Sequence, residues 1–251
     1  MLFRSVWVVD ARAASARELE ANPGAAGKGH TVLKFSPEGE LLMTLGTGGE
    51  AGDPPTHFDA PNDVLIAPNG TIYVGDTHGA QFQDAAGPTS KSRISMFEPD
   101  GTFIKSFGEF GYEDGQFRSP HSLAMDSQGR LFVADRGNSR IQIFTQDGEH
   151  LDTWYQFSRI SGLFIDPSTD MLYAIDSESD DNYNPGWSKG LRVGNARTGE
   201  VLYFVPAHES SRPSGMGGVG SMGEGVTVDR NGVVYAGEVG PVQGMTKFIP
   251  R

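Results

Sequence analysis

Residues 119–154 read SPHSLAMDSQGRLFVADRGNSRIQIFTQDGEHLDTW, and residues 60–79 and 92–108 repeat the phrase as APNDVLIAPNGTIYVGDTHG and SRISMFEPDGTFIKSFG. Each copy holds four short runs rich in β-branched and aromatic residues, cut by turn signals such as Pro68-Asn69-Gly70 and Ser127-Gln128-Gly129. A lone four-stranded sheet of this size cannot bury both of its faces, so the copies must stack. The repeat therefore predicts an all-β fold, a β-propeller of four-stranded antiparallel blades, with function carried on the loops between strands.

Working outward, the same core recurs five times. Second strands are VWVVD, IYVGD, LFVAD, LYAID and VYAGE, ending on Asp10, Asp76, Asp135, Asp176 and Glu238. The turns before the last four are APNG, DSQG, DPSTD and DRNG, and glycine closes three of them with the positive φ such turns need. About five blades follow within one propeller domain over residues 1–251: 1–59, lacking a first strand; 60–118; 119–158; 159–215; and 216–251, lacking a fourth. The repeated aspartates are expected to fix turns. The inserts between second and third strands read as loops, with a short helix at Ser15–Ala21. An open ring, a closed five-bladed ring, or a homo-oligomer whose partner covers the open edge all satisfy this count.

Composition narrows the function classes. With 20 basic against 32 acidic side chains, a net charge of -12, the chain lacks the basic stripe that a nucleic-acid backbone requires. There is no Cys, so a metal would need imidazole, carboxylate or carbonyl donors. No apolar run approaches the roughly eighteen residues of a membrane span, and MLFRSVWVVDARAASARELE lacks the apolar centre of a secretory signal. The sequence thus predicts a soluble chain with a small-molecule or peptide substrate and no membrane insertion.

SRISMFEPDGTFIKSFG and NSRIQIFTQDG resemble the NHL repeat, and SPHSLAMDSQGRLFVADRGNSRIQIF resembles one blade of the peptidyl-α-hydroxyglycine α-amidating lyases. That family is a six-bladed propeller with a catalytic zinc held by three channel histidines and a structural calcium, and its members are often extracytoplasmic. The resemblance implies that His121, in Pro120-His121-Ser122-Leu123, is a zinc ligand and that Arg136, in Ala134-Asp135-Arg136-Gly137-Asn138, is an active-site arginine. His78, in Gly75-Asp76-Thr77-His78, stands at the place of the catalytic tyrosine, and Glu224, in Gly223-Glu224-Gly225-Val226, at that of another zinc histidine.

In a propeller the residues that open the innermost strands face the channel, which brings Asn62, Asp63, His121, Ser122, Ser161 and Glu224 toward it. The expected site has His121 and Glu224 on a zinc or calcium ion, Asn62, Ser122 and Ser161 touching substrate, and His78, Arg136 and Asp63 in catalysis. A metal-dependent lyase of the amidating type is the leading reading. Oxygen donors such as Asn62 and Asp63 also suit a calcium- or zinc-dependent lactonase or esterase, and a non-catalytic NHL propeller that binds a peptide or protein is the third reading. The acidic run Asp176–Asn182 reads as a solvated loop, and Pro213–Gly225 as a lid.

Overall fold

The structure is a computed structural model that describes residues 5–76, 91–207, 222–238 and 244–250. The chain divides into two compact units, Met1–Pro120 and His121–Arg251. Strands fall on the apolar runs and fold into five antiparallel sheets in chain order, the blades of an all-β propeller.

The first unit carries β1 (Val6–Asp10), β2 (Thr31–Phe35) and β3 (Leu41–Leu45) in a three-stranded sheet. The next sheet has four strands: β4 (Pro61–Ile66), β5 (Ile72–Asp76), β6 (Arg93–Phe97) and β7 (Phe103–Phe107). Between them Val32, Leu45, Phe58, Ile72, Val74 and Phe97 form the core, with Phe97 edge-on to both Phe58 and Phe103. The insert after β1 forms the expected helix, α1 (Ala16–Ala21), because Ser15 and Glu18 make a reciprocal capping box.

The second unit holds the sheet of β8 (Pro120–Met125), β9 (Leu131–Asp135), β10 (Arg140–Phe144) and β11 (His150–Trp154). It continues with β12 (Gly162–Asp166), β13 (Met171–Asp176), β14 (Gly190–Asn195) and β15 (Val201–Pro206). A three-stranded sheet follows: β16 (Gly225–Val228), β17 (Val234–Gly237) and β18 (Met245–Phe248). Phe132, Trp154, Phe157, Leu163 and Leu172 fill the space between the first two of these sheets. Ile175, Leu191, Met222, Val234 and Ala236 fill the next. Every residue of β9 and β10 is buried, as central strands covered on both faces must be.

Two repeated devices hold the blades. Gly70, Gly129 and Gly232 take φ of 92°, 77° and 77° in the turns between first and second strands, and Asp170 takes the same left-handed place at 55°. Each second-strand aspartate anchors the opposite end. Asp76 accepts from the Asp59 and Ala60 amides at 3.0 and 2.8 Å and pairs with Arg93 at 2.7 Å, while Asp135 pairs with Arg140 at 2.9 Å. In the following blade Gly190 occupies the arginine's register, and Asp176 instead accepts from Ser158 at 2.7 Å and from the Ser179 amide at 2.8 Å. These aspartates are therefore structural, as their repetition implied.

Candidate functional site

The strongest cluster lies where β8, β12 and β16 begin. Ser122 accepts a hydrogen bond from the Leu163 amide at 3.1 Å, which ties β8 to β12. His121, the residue before Ser122, reaches the same end of β12. Gly162 brings β16 close: a Cβ there would lie 2.8 Å from the Glu224 carbonyl oxygen and 3.1 Å from the Val226 nitrogen. Glu224 is delivered to the cluster by this approach.

His121 is held at Nδ1, which donates to the Ser161 carbonyl at 2.7 Å. With Nδ1–H given to that carbonyl, Nε2 is the ring atom that faces Glu224, 3.5 Å from its Oε2. Arg136 is projected inward by the short 3-10 turn Arg136–Asn138, pinned where Asp135 accepts from Asn138 at 2.7 Å and from Arg140. Its guanidinium is 1 % exposed and donates from one nitrogen to Glu224 Oε2 at 2.9 Å and to Ser161 Oγ at 3.3 Å. Ser161 donates a hydrogen bond to Ser177 Oγ at 2.7 Å, and Ser177 donates to Glu224 Oε1 at 2.9 Å. Both Glu224 oxygens are thereby held.

A second carboxylate completes the charge pattern. Glu178 Oε1 is 3.7 Å from the same Arg136 nitrogen, and its Oε2 accepts from Arg159 at 2.8 Å. Arg159 also donates to the Arg136 carbonyl at 2.9 Å. Two guanidiniums and two carboxylates thus alternate, Arg159–Glu178–Arg136–Glu224, and end at His121. Burial pulls the Arg136 guanidinium below its usual range; Glu224 and Glu178 offset only part of this, and Arg159 adds to the lowering.

The structure brings together His121, Arg136, Ser161 and Glu224, while Ser122 serves strand pairing. Asn62 and Asp63 open β4 in the first unit, where register shifts between Pro61 and Asp63. Asp63 accepts from the Val64 amide at 2.8 Å, and the buried Asn62 amide group has no hydrogen-bond partner among the described residues. His78 and most of the expected lid at 213–225 lie outside the described residues. Ser177, Glu178 and Arg159 are site residues that the sequence reading passed over. The run expected to be a solvated loop is buried through Asp176, Ser177, Glu178 and Ser179. The available signal was Arg159, a charge placed ahead of a first strand where the preceding copies read Ala-Pro and Ser-Pro.

The zinc implied by the resemblance needs at least three protein donors. The gap of 3.5 Å between His121 Nε2 and Glu224 Oε2 matches one edge of a tetrahedral site, so spacing alone does not disfavour a metal. The donor set does. Among the described residues no three His, Asp or Glu side chains converge as a ligand set, and the one carboxylate facing His121 already neutralises Arg136. The described residues do not complete a zinc or calcium centre.

Comparison with known proteins agrees with the fold. A model of the NHL repeat family matches residues 117–144. NHL repeat-containing protein 3 of Homo sapiens is 36 % identical over 154 residues, 60 % of this chain and 38 % of the human protein. Peptidyl-glycine alpha-amidating monooxygenase B of Xenopus laevis is 31 % identical over 236 residues, 88 % of this chain and 24 % of that protein. A Caenorhabditis elegans protein named "Probable peptidyl-alpha-hydroxyglycine alpha-amidating lyase pgal-1" is 31 % identical over 120 residues, 46 % of this chain and 31 % of its own length. The chain therefore spans well under half of each of these relatives. A solved gluconolactonase from Xanthomonas campestris superposes with a TM-score of 0.51 at 14 % identity, over 82 % of this chain and 61 % of that one, a likeness of fold. The chain carries an NHL repeat within an all-β propeller, and its homologues include NHL repeat-containing protein 3 and the peptidylglycine alpha-amidating monooxygenases.

Proposed function

We propose that the chain is a lyase of the peptidylglycine-amidating type, acting on a peptide that ends in α-hydroxyglycine. The observation that carries this reading is the His121–Glu224–Arg136 cluster, on positions the amidating lyases mark, in a chain that aligns with an amidating protein over 88 % of its length.

The reaction breaks the bond between the α-carbon and the amide nitrogen. One proton leaves the α-hydroxyl, its oxygen becomes the aldehyde of glyoxylate, and the departing amide nitrogen takes up one proton. His121 Nε2 is the base for the hydroxyl and returns the proton to the nitrogen, since Nδ1–H is committed to Ser161. Glu224 stabilises the imidazolium that forms between the two transfers. Arg136 and Ser177 fix the carboxylate on which this depends.

Glyoxylate release from an α-hydroxyglycine peptide tests the reading. The expected result is turnover by the native chain and a loss of roughly 10²-fold or more in kcat in His121→Gln, the scale of a general base. No glyoxylate from the native chain, or an unchanged His121→Gln, overturns it. Opening of simple lactones or aryl esters in its place moves the chain to the hydrolase reading, and retention of a peptide without turnover moves it to the binding reading.

A further inference from the structure

We infer that the cation of this site is the Arg136 guanidinium, and that the chain keeps the geometry of a metal-binding propeller while working without a divalent ion. This rests on the same cluster as the proposed lyase activity, but it is a statement about charge rather than turnover.

A carboxylate that holds zinc needs a lone pair directed at the ion and a charge available to offset it. Here Glu224 Oε2 accepts from Arg136 at 2.9 Å, Oε1 accepts from Ser177 at 2.9 Å, and the negative charge is already matched. The second carboxylate, Glu178, is matched by Arg159 at 2.8 Å and stands 3.7 Å from Arg136. Two positive and two negative groups thus balance.

Arg136 is buried on a pinned turn. It is 1 % exposed, its turn is pinned by Asp135, and Arg159 is bonded to its carbonyl oxygen. An ion between His121 and Glu224 would place two further positive charges beside a buried guanidinium that already takes up the Glu224 charge. Arginine does not give up its proton to relieve such a clash.

The barrier is removable. Arg136→Gln keeps a polar side chain, withdraws the charge and leaves Glu224 with an uncompensated carboxylate 3.5 Å from His121 Nε2. That variant should bind zinc more tightly than the native chain does, through His121 and Glu224, though more weakly than a three-donor centre would. The experiment is metal analysis after dialysis against a chelator, followed by titration with zinc chloride alone and with calcium chloride alone, read by bound metal and by thermal midpoint.

The native chain is expected to hold less than one ion per chain, with the same midpoint in metal and in chelator and no difference from His121→Gln. Arg136→Gln is expected to bind zinc at least tenfold more tightly than the native chain. Stoichiometric zinc or calcium in the native chain, lost in His121→Gln, overturns the inference. So does a folded Arg136→Gln with no gain. If Arg136→Gln does not fold, the comparison of native chain with His121→Gln still decides. Neither measurement uses turnover: a metal-free chain that releases no glyoxylate sinks the lyase reading alone, and an active chain that loses glyoxylate release with its zinc sinks this inference alone.

Discussion

Arg136 is the residue on which the cluster turns, and its cost explains why it must be more than a surface accident. A guanidinium that is 1 % exposed has lost its hydration, and burial accordingly weakens its hold on the proton. Two carboxylates and a serine hydroxyl offset that loss. Removing the cation while leaving its partners should therefore cost more than the pair contributes. Arg136→Ala is expected to destabilise the chain by about 3–5 kcal/mol, seen in the urea midpoint, and Glu178→Gln, which leaves Arg136 paired with Glu224 but strands the buried Arg159 guanidinium, should cost a similar amount. A clearly smaller loss in Glu178→Gln would mean that Arg159 does not depend on Glu178 for its charge balance. His121 and Arg136 were legible in the sequence because both lie in a phrase that repeats and resembles a known blade. Glu178 and Arg159 were not legible: a Ser-Glu-Ser-Asp run has the composition of a solvated loop, and only the fold shows that a buried arginine draws its glutamate inside.

Strands and turns were legible for a different reason, which is that period and punctuation are local. A run such as Leu131–Asp135 alternates between two covered faces and is closed by a glycine turn on one side and an aspartate on the other. What local pattern cannot give is the distance between elements. Gly162 is ordinary in sequence, yet β12 and β16 meet at it, and a methyl group would press on the backbone of Glu224, Gly225 and Val226. Backbone cannot yield as a side-chain tip can. Gly162→Ala is expected to cost about 1–3 kcal/mol, as over-packing does, and to lower kcat well beyond what Gly232→Ala does, because only the former displaces Glu224. Stability and glyoxylate release measured on both variants check this. Equal effects on kcat would show that the approach of the strands does not set the site.

For the whole molecule, the excess of 32 acidic over 20 basic side chains makes charge the term that conditions most easily change. Two effects oppose each other as pH falls. Net charge shrinks from -12 toward zero near the isoelectric point of about 4.9, which relieves self-repulsion. Carboxylates that the fold holds ionised then begin to cost stability. Asp170 is the clearest of these: burial pushes its carboxyl up, but the Ser127 hydroxyl and amide and the Arg197 guanidinium more than offset it, and the net direction is down. Asp53, bonded first by Lys91 and then by Arg93, moves the same way. A folded pKa below the unfolded one gives stability that is fully present above the ordinary aspartate value of about 3.9 and is lost as pH falls through the folded value. Asp76 works in the opposite sense, since burial outweighs Arg93 and raises its carboxyl, so its contribution falls as pH rises through that raised value. Urea midpoints are therefore expected to hold or rise from neutral pH toward about 5 and to drop steeply below about 4. Asp170→Asn, which keeps the left-handed turn but weakens the bonds from Ser127 and Arg197, should cost about 2 kcal/mol at neutral pH and progressively less as acid protonates the native side chain. A variant curve that runs parallel to the native one at every pH would show that the depressed Asp170 carboxyl does not drive the acid limb. A native midpoint at neutral pH that does not rise with added salt would show that self-repulsion is already cancelled locally, by pairs such as Asp53–Lys91 and Asp170–Arg197.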